Sequence, residues 1–120
     1  MDILYFLLIN LIPAMIIFFG HVFMYKPPKS INFAYGYRTK RSTASKKAWA
    51  YAHQVCGVVW FKGGIFLAIL LNGLFFVSIT LLRGYRFNIY YVLFFTPLVF
   101  MLGSILYTER KLKRNEEALL

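Results

Sequence analysis

Between Ser30 and Gly57 the sequence gathers residue types that bind or react: Asn32, Gly36, Tyr37, Arg38, Thr39, Ser42, Trp49, His53 and Cys56. Arg38 carries a planar fork of donors that matches a carboxylate or phosphate bidentately, and Thr39 and Ser42 place hydroxyls beside it. Trp49 and His53 are four residues apart, so on a helix they share one face, with Trp60 close to the same face. A histidine there can change charge near neutral pH, donate to a buried carbonyl or ligate a metal. Plainer assignments compete with these: Arg38 anchoring headgroups, both tryptophans marking a membrane interface, and His53 closing an interhelical hydrogen bond.

Catalytic sets are hard to assemble. The only acids are Asp2, Glu109, Glu116 and Glu117, so neither paired-carboxylate chemistry nor a Ser-His-Asp or Cys-His-Asp arrangement has support. A glycine-rich phosphate loop is also missing. His21, His53 and Cys56 form a thin metal-ligand set without a carboxylate or second thiol, and no cofactor is expected. The lone Cys56 reads as a small buried apolar residue. The sequence therefore favours a binding protein over an enzyme.

The elements that must position these residues follow from composition. Of 120 residues, 60% are hydrophobic, 20% aromatic and only 15% charged, which suits a bilayer as solvent. Three runs free of Asp, Glu, Lys and Arg, Ile3–Tyr25, Ile65–Leu82 and Phe87–Tyr107, match the roughly 20 residues that cross about 30 Å of hydrocarbon. Asp2 and the lack of a small-x-small cleavage site make the first a permanent span instead of a signal peptide. The reading is an all-α membrane protein with three transmembrane helices in a single domain, residues 1–120. A formal net charge of +10 then serves topology and anionic lipid, and no nucleic-acid partner is expected.

Seven cations, Lys26, Lys29, Arg38, Lys40, Arg41, Lys46 and Lys47, precede the second span without an acid among them. The tail adds Arg110, Lys111, Lys113 and Arg114, whereas the second connection holds only Arg83 and Arg86. This bias predicts a cytoplasmic basic segment, 26–64, a cytoplasmic tail, 108–120, and an N-terminus outside. Lys26-Pro27-Pro28-Lys29 ends the first helix. From Thr43, apolar residues Ala44, Ala48, Trp49, Ala52, Val55, Cys56, Val59 and Trp60 recur at helical spacing behind Ser42 as N-cap, predicting an amphipathic helical segment in the interface before the second span. Gly63-Gly64 permits either a bend or a continuous helix there. The short turn Arg83–Arg86 makes the last two spans an antiparallel hairpin that should form first. Gly103 with Ser104, and Gly73 with Ala68, are candidate close-packing patches, and Asn10 and Asn72 must find partners across helices.

The run Asn32-Phe33-Ala34-Tyr35-Gly36-Tyr37-Arg38-Thr39, then Ser42, Trp49-Ala50-Tyr51-Ala52-His53 and Gly57, resembles the signature of the SdpI-like membrane family. That family is named after an immunity protein against a secreted, sporulation-delaying toxin of bacilli. Lys46 and Lys47 stand where family members often carry acids, and the extra N-terminal membrane region of longer members is missing, so the minimal domain is expected. The resemblance implies a multi-pass protein of the bacterial cytoplasmic membrane that binds a membrane-active peptide toxin without turnover, and in the namesake also holds a repressor at the membrane. Asn32, Gly36, Tyr37, Arg38, Thr39, Ser42, Trp49 and His53 would then shape the binding face. The alternative is a transport-associated protein whose Arg38 segment holds an anionic lipid or small phosphorylated ligand, with a homo-oligomer completing any path.

Overall fold

Proline sets the first boundary. Pro27 disfavours helical geometry at the preceding residue, and Lys26 leaves the helix with φ −136° while its N–H still reaches the Val22 carbonyl at 2.7 Å. In this computed structural model, which describes residues 1–120, α1 accordingly spans Asp2–Tyr25, followed by an irregular loop, 26–45. Helix α2 spans Lys46–Thr80, a 3-10 turn occupies Arg83–Tyr85, α3 spans Arg86–Arg114, and a short α4, Glu116–Leu119, follows. The three long helices are each long and apolar enough to cross a membrane.

Helix α2 runs through Gly63-Gly64 without a break. At 1.5 Å per residue its 35 residues reach about 52 Å, well past the roughly 30 Å of a hydrocarbon core. Its uncharged part, residues 63–80, suffices to cross. Lys62, exposed, closes that stretch on the side of the loop, and its long stem lets the ammonium reach water. The molecule is correspondingly elongated, 55 × 24 × 20 Å, and has two layers: a three-helix membrane bundle, and a head made of the loop, residues 46–61 of α2, the end of α3 and α4.

Residues 46–64 are thus helical but not a separate amphipathic interfacial segment. They continue the second span, and their apolar side, Ala48, Trp49, Ala52 and Cys56, is buried inside the head. The N-cap is Ser45, whose Oγ accepts from the Ala48 N–H at 3.0 Å, and not Ser42, whose hydroxyl is engaged within the loop. The expectation of two interfacial tryptophan anchors also fails for Trp49, which is buried. Trp60 is half-buried and donates to Ser104 Oγ at 2.7 Å.

Each layer has its own core. Ile9, Leu67, Leu71, Phe75, Tyr90 and Leu93 pack in the bundle, and Phe23, Tyr37, Ala48, Ala52, Cys56 and Leu112 in the head. Large exposed side chains such as Phe66, Ile69, Val92, Val99 and Leu102 cover the bundle as a lipid-facing surface. Inside it, Asn10 and Asn72 pair reciprocally at 3.1 and 2.8 Å, and each amide also donates to a carbonyl one turn back, Phe6 or Ala68. All four amide groups of the pair are thereby satisfied where water is excluded.

The close helix approach lies between α1 and α2, at glycines other than those expected. A Cβ on Gly20 would come within 2.3 Å of the Phe61 nitrogen, one on Gly57 within 2.8 Å of the Met24 nitrogen, and one on Gly64 within 2.9 Å of Ile17. These contacts share a single antiparallel register. Gly73 and Gly103 instead face open space, since small residues permit contact only where the register brings a neighbour. Gly20→Val should therefore lower the unfolding free energy in detergent by about 3 kcal/mol, while Gly103→Ala should leave it unchanged or slightly raised. Equal behaviour of the two variants in an unfolding titration would refute the register.

Candidate functional site

The candidate site is the loop between α1 and α2, which is held down residue by residue. At its start Trp49 Nε1 donates to the Pro28 carbonyl at 2.8 Å. In its middle the Tyr37 N–H donates to His53 Nε2 at 2.9 Å, while His53 Nδ1 lies 2.7 Å from the Trp49 carbonyl. A carbonyl only accepts and an amide N–H only donates, so the imidazole is neutral with its proton on Nδ1. The ring is fully buried between Trp49, 4.4 Å between centroids, and Phe23, 4.9 Å.

Gly36 lets the chain reach this position. Its φ is +129°, in a region that side chains rarely adopt, and a Cβ there would sit 2.8 Å from His53 Nε2 and 2.9 Å from the Trp49 ring. Beyond Tyr37 the chain closes on itself. Ser42 Oγ contacts the Tyr37 carbonyl at 2.9 Å and accepts from the Thr39 N–H at 2.8 Å, and Thr39 Oγ1 accepts from the Ser42 N–H at 3.2 Å. Asn32 Oδ1 accepts from the Ala34 and Tyr35 amides at 2.9 and 3.0 Å, turning the chain before Gly36.

A third helix joins the latch. The Tyr37 hydroxyl donates to Glu109 Oε1 on α3 at 2.8 Å, and Arg41 approaches Glu109 Oε2 at 3.4 Å. Burial and the neighbouring carboxylate push the Tyr37 phenol far above its usual range, so it remains a donor. The tail is docked as well: Ser45 Oγ donates to the Leu119 carbonyl, and Asn115 Nδ2 donates to the Tyr51 hydroxyl at 3.1 Å. Sequence reasoning missed Glu109, Ser45 and Asn115. The available signal was Glu109 itself, a carboxylate at the head of a basic run.

The eight expected site residues consequently divide. Gly36, Tyr37, Ser42, Trp49 and His53 build the head, and Asn32 and Thr39 shape the loop backbone. Only Arg38 is exposed. Its guanidinium lies 5.0 Å from the Phe33 ring centroid and donates through Nη1 to the Phe33 carbonyl at 2.7 Å. Arg38 and His53 do not share a site: Tyr37 turns its N–H inward to the imidazole and the next side chain points away. Around Arg38 lies an open concavity of about 360 Å³ lined by Ile31, Asn32, Phe33, Thr39, Lys40 and Thr43, with no carboxylate. His21, by contrast, packs at a tilt against Tyr25 and Phe61 on the exposed side of α1.

The pattern of the SdpI/YfhL protein family matches residues 29–108, from the loop through α3. The chain belongs to that family. Within it, a Bacillus subtilis (strain 168) protein described as uncharacterized protein YfhL is 37% identical over 60 residues, covering 47% of this chain and 54% of that one. The chain thus spans about half the length of the curated relative it matches. No solved structure matches. The matched region of this SdpI/YfhL member begins at Lys29 and ends at Thr108, so it takes in Gly36, Tyr37, Ser42, Trp49 and His53 and stops one residue short of Glu109.

His53 lies nine residues before Lys62, beyond the uncharged stretch 63–80, and burial lowers its pKa from 6.5 against the opposing pull of the Trp49 carbonyl. An unfolded histidine takes up a proton first, so the latch contributes fully above about pH 6.5 and its contribution is lost as pH falls through 6.5 toward the lowered native value. In a Trp60→Phe variant in nanodiscs, Trp49 emission should shift to the red on acidification to about pH 5, and unchanged emission would contradict the latch. Gly36→Ala should loosen the loop at neutral pH, costing about 3 kcal/mol, read by protease cleavage between residues 29 and 41.

Proposed function

We propose that this SdpI/YfhL member is a non-catalytic immunity-type protein of the bacterial cytoplasmic membrane that protects its host by binding a membrane-active peptide toxin. The basic head would face the cytoplasm, with the N-terminus and the Arg83–Arg86 turn outside, as the distribution of Lys and Arg favours. The observation that carries the reading is the use of the signature residues. Their hydrogen-bonding groups are spent on fixing one loop against two helices, which is the construction of a rigid recognition surface rather than of a reactive centre. Both His53 nitrogens are engaged, and Glu109 is committed to Tyr37 and Arg41.

On this reading the bundle meets the toxin, while Arg38, Phe33 and Lys40 form the face that engages a cytosolic regulator, such as a repressor held at the membrane, on which full protection depends. Membership of a family named for toxin immunity supports the protective role. A strain lacking the protein should lose membrane potential selectively when challenged with secreted peptide toxins of neighbouring bacteria, and wild-type protein should restore survival. Arg38→Ala, inserted at equal abundance, should reduce protection at least tenfold in the surviving fraction. Undiminished protection by that variant would remove Arg38 from the mechanism, and no phenotype across a broad toxin panel would remove the immunity reading.

A further inference from the structure

Far from the head, α1 and α3 leave a groove between their segments at the turn end of the bundle. Its lining is wholly apolar or aromatic, including Tyr5, Leu8, Phe87, Tyr90, Tyr91 and Phe95, and its volume is about 230 Å³. From Phe87 to Phe95 it follows α3 for about 12 Å, so it fits within one leaflet. Its mouth is charged. Arg86 lies 5.3 Å from the centroid of the Phe87 ring and only loosely meets Asp2, at 3.7 Å. Asp2 also accepts from the Tyr90 hydroxyl at 3.0 Å. Arg83, one turn away, donates through Nε to the Ile79 carbonyl at 3.2 Å, which leaves its Nη groups for another acceptor.

We infer that this groove holds one acyl chain of an anionic phospholipid whose phosphate sits at Arg83 and Arg86. The turn end of the bundle carries Arg83 and Arg86 against the single carboxylate of Asp2, which meets Arg86 alone, so that end is net positive where a lipid phosphate would lie. A helix from another protein, about 10 to 12 Å across with its side chains, would enter the groove only with single side chains, whereas an acyl chain can lie along its length. Lipid tails are as apolar as the lining, so the slot supplies shape and little net affinity. Preference among lipids comes from the arginines, about fivefold for each. The site is independent of Arg38 and of the immunity reading.

The test is native mass spectrometry of the full chain released from nanodiscs containing equal phosphatidylglycerol and phosphatidylcholine. Wild-type protein should retain one phosphatidylglycerol in preference to phosphatidylcholine. Arg83→Gln with Arg86→Gln should abolish that preference, Leu8→Trp should expel the lipid while the charges remain, and Arg38→Ala should change neither. Circular dichroism establishes that each variant is folded. A measurement on wild type alone separates the lipid from a free anion: glycerophosphoglycerol, the headgroup without chains, should fail to displace it. Equal retention of the two lipids, displacement by the bare headgroup, or a dimer that Leu8→Trp splits would each overturn the inference.

Discussion

A buried imidazole has two nitrogens to satisfy, and satisfying those of His53 is what joins the loop to the helix. The Trp49 carbonyl lies one turn back on the same helix and fixes the proton on Nδ1. That leaves Nε2 as an acceptor with no water to fill it, and the Tyr37 amide is brought to it by the one backbone conformation that glycine supplies at position 36. An unpaired polar group in that place costs roughly 1 to 3 kcal/mol. With the bond made, the chain direction at Tyr37 is set, the phenol reaches Glu109 on α3, and Arg38 is turned to the surface.

The same constraint explains why α2 is so long. A helix that stopped at the membrane surface would carry no Trp49 or His53 for the loop to close on. By continuing past Lys62 it gives the head a spine, and the glycines at 20, 57 and 64 seat α1 directly on that spine. All three long helices contribute to both cores, so the bundle and the head are coupled along α2 and through the ends of α1 and α3 that pack on it. The lipid-facing side of the bundle is free of this constraint, which is where the open groove between α1 and α3 occurs.

Much of this was legible in the sequence, for stated physical reasons. Uncharged runs of about 20 residues mark spans, Pro27-Pro28 marks the break, and Asn10 and Asn72 had to pair. The clustering of Asn32 to His53 marks the loop and the helix face that hydrogen-bond to one another, but residue type does not say which side a group faces. Trp49 suits an interface or a core, and only the loop folding over it decides. Ser42 and Ser45 are both acceptable caps, and the choice rests on hydrogen bonds to Thr39 and Tyr37. Glycines carry no face of their own, so Gly73 and Gly103 were as eligible as Gly20 and Gly57. The link from Tyr37 to Glu109 bridges 72 positions, beyond any local pattern.

The most direct test of the central claim is the nitrogen-15 spectrum of His53 in nanodiscs at neutral pH. The latch predicts one neutral tautomer, protonated at Nδ1, with a hydrogen-bond coupling between the Tyr37 amide and Nε2. A ring protonated at Nε2, an imidazolium, or rapid exchange between tautomers would contradict it.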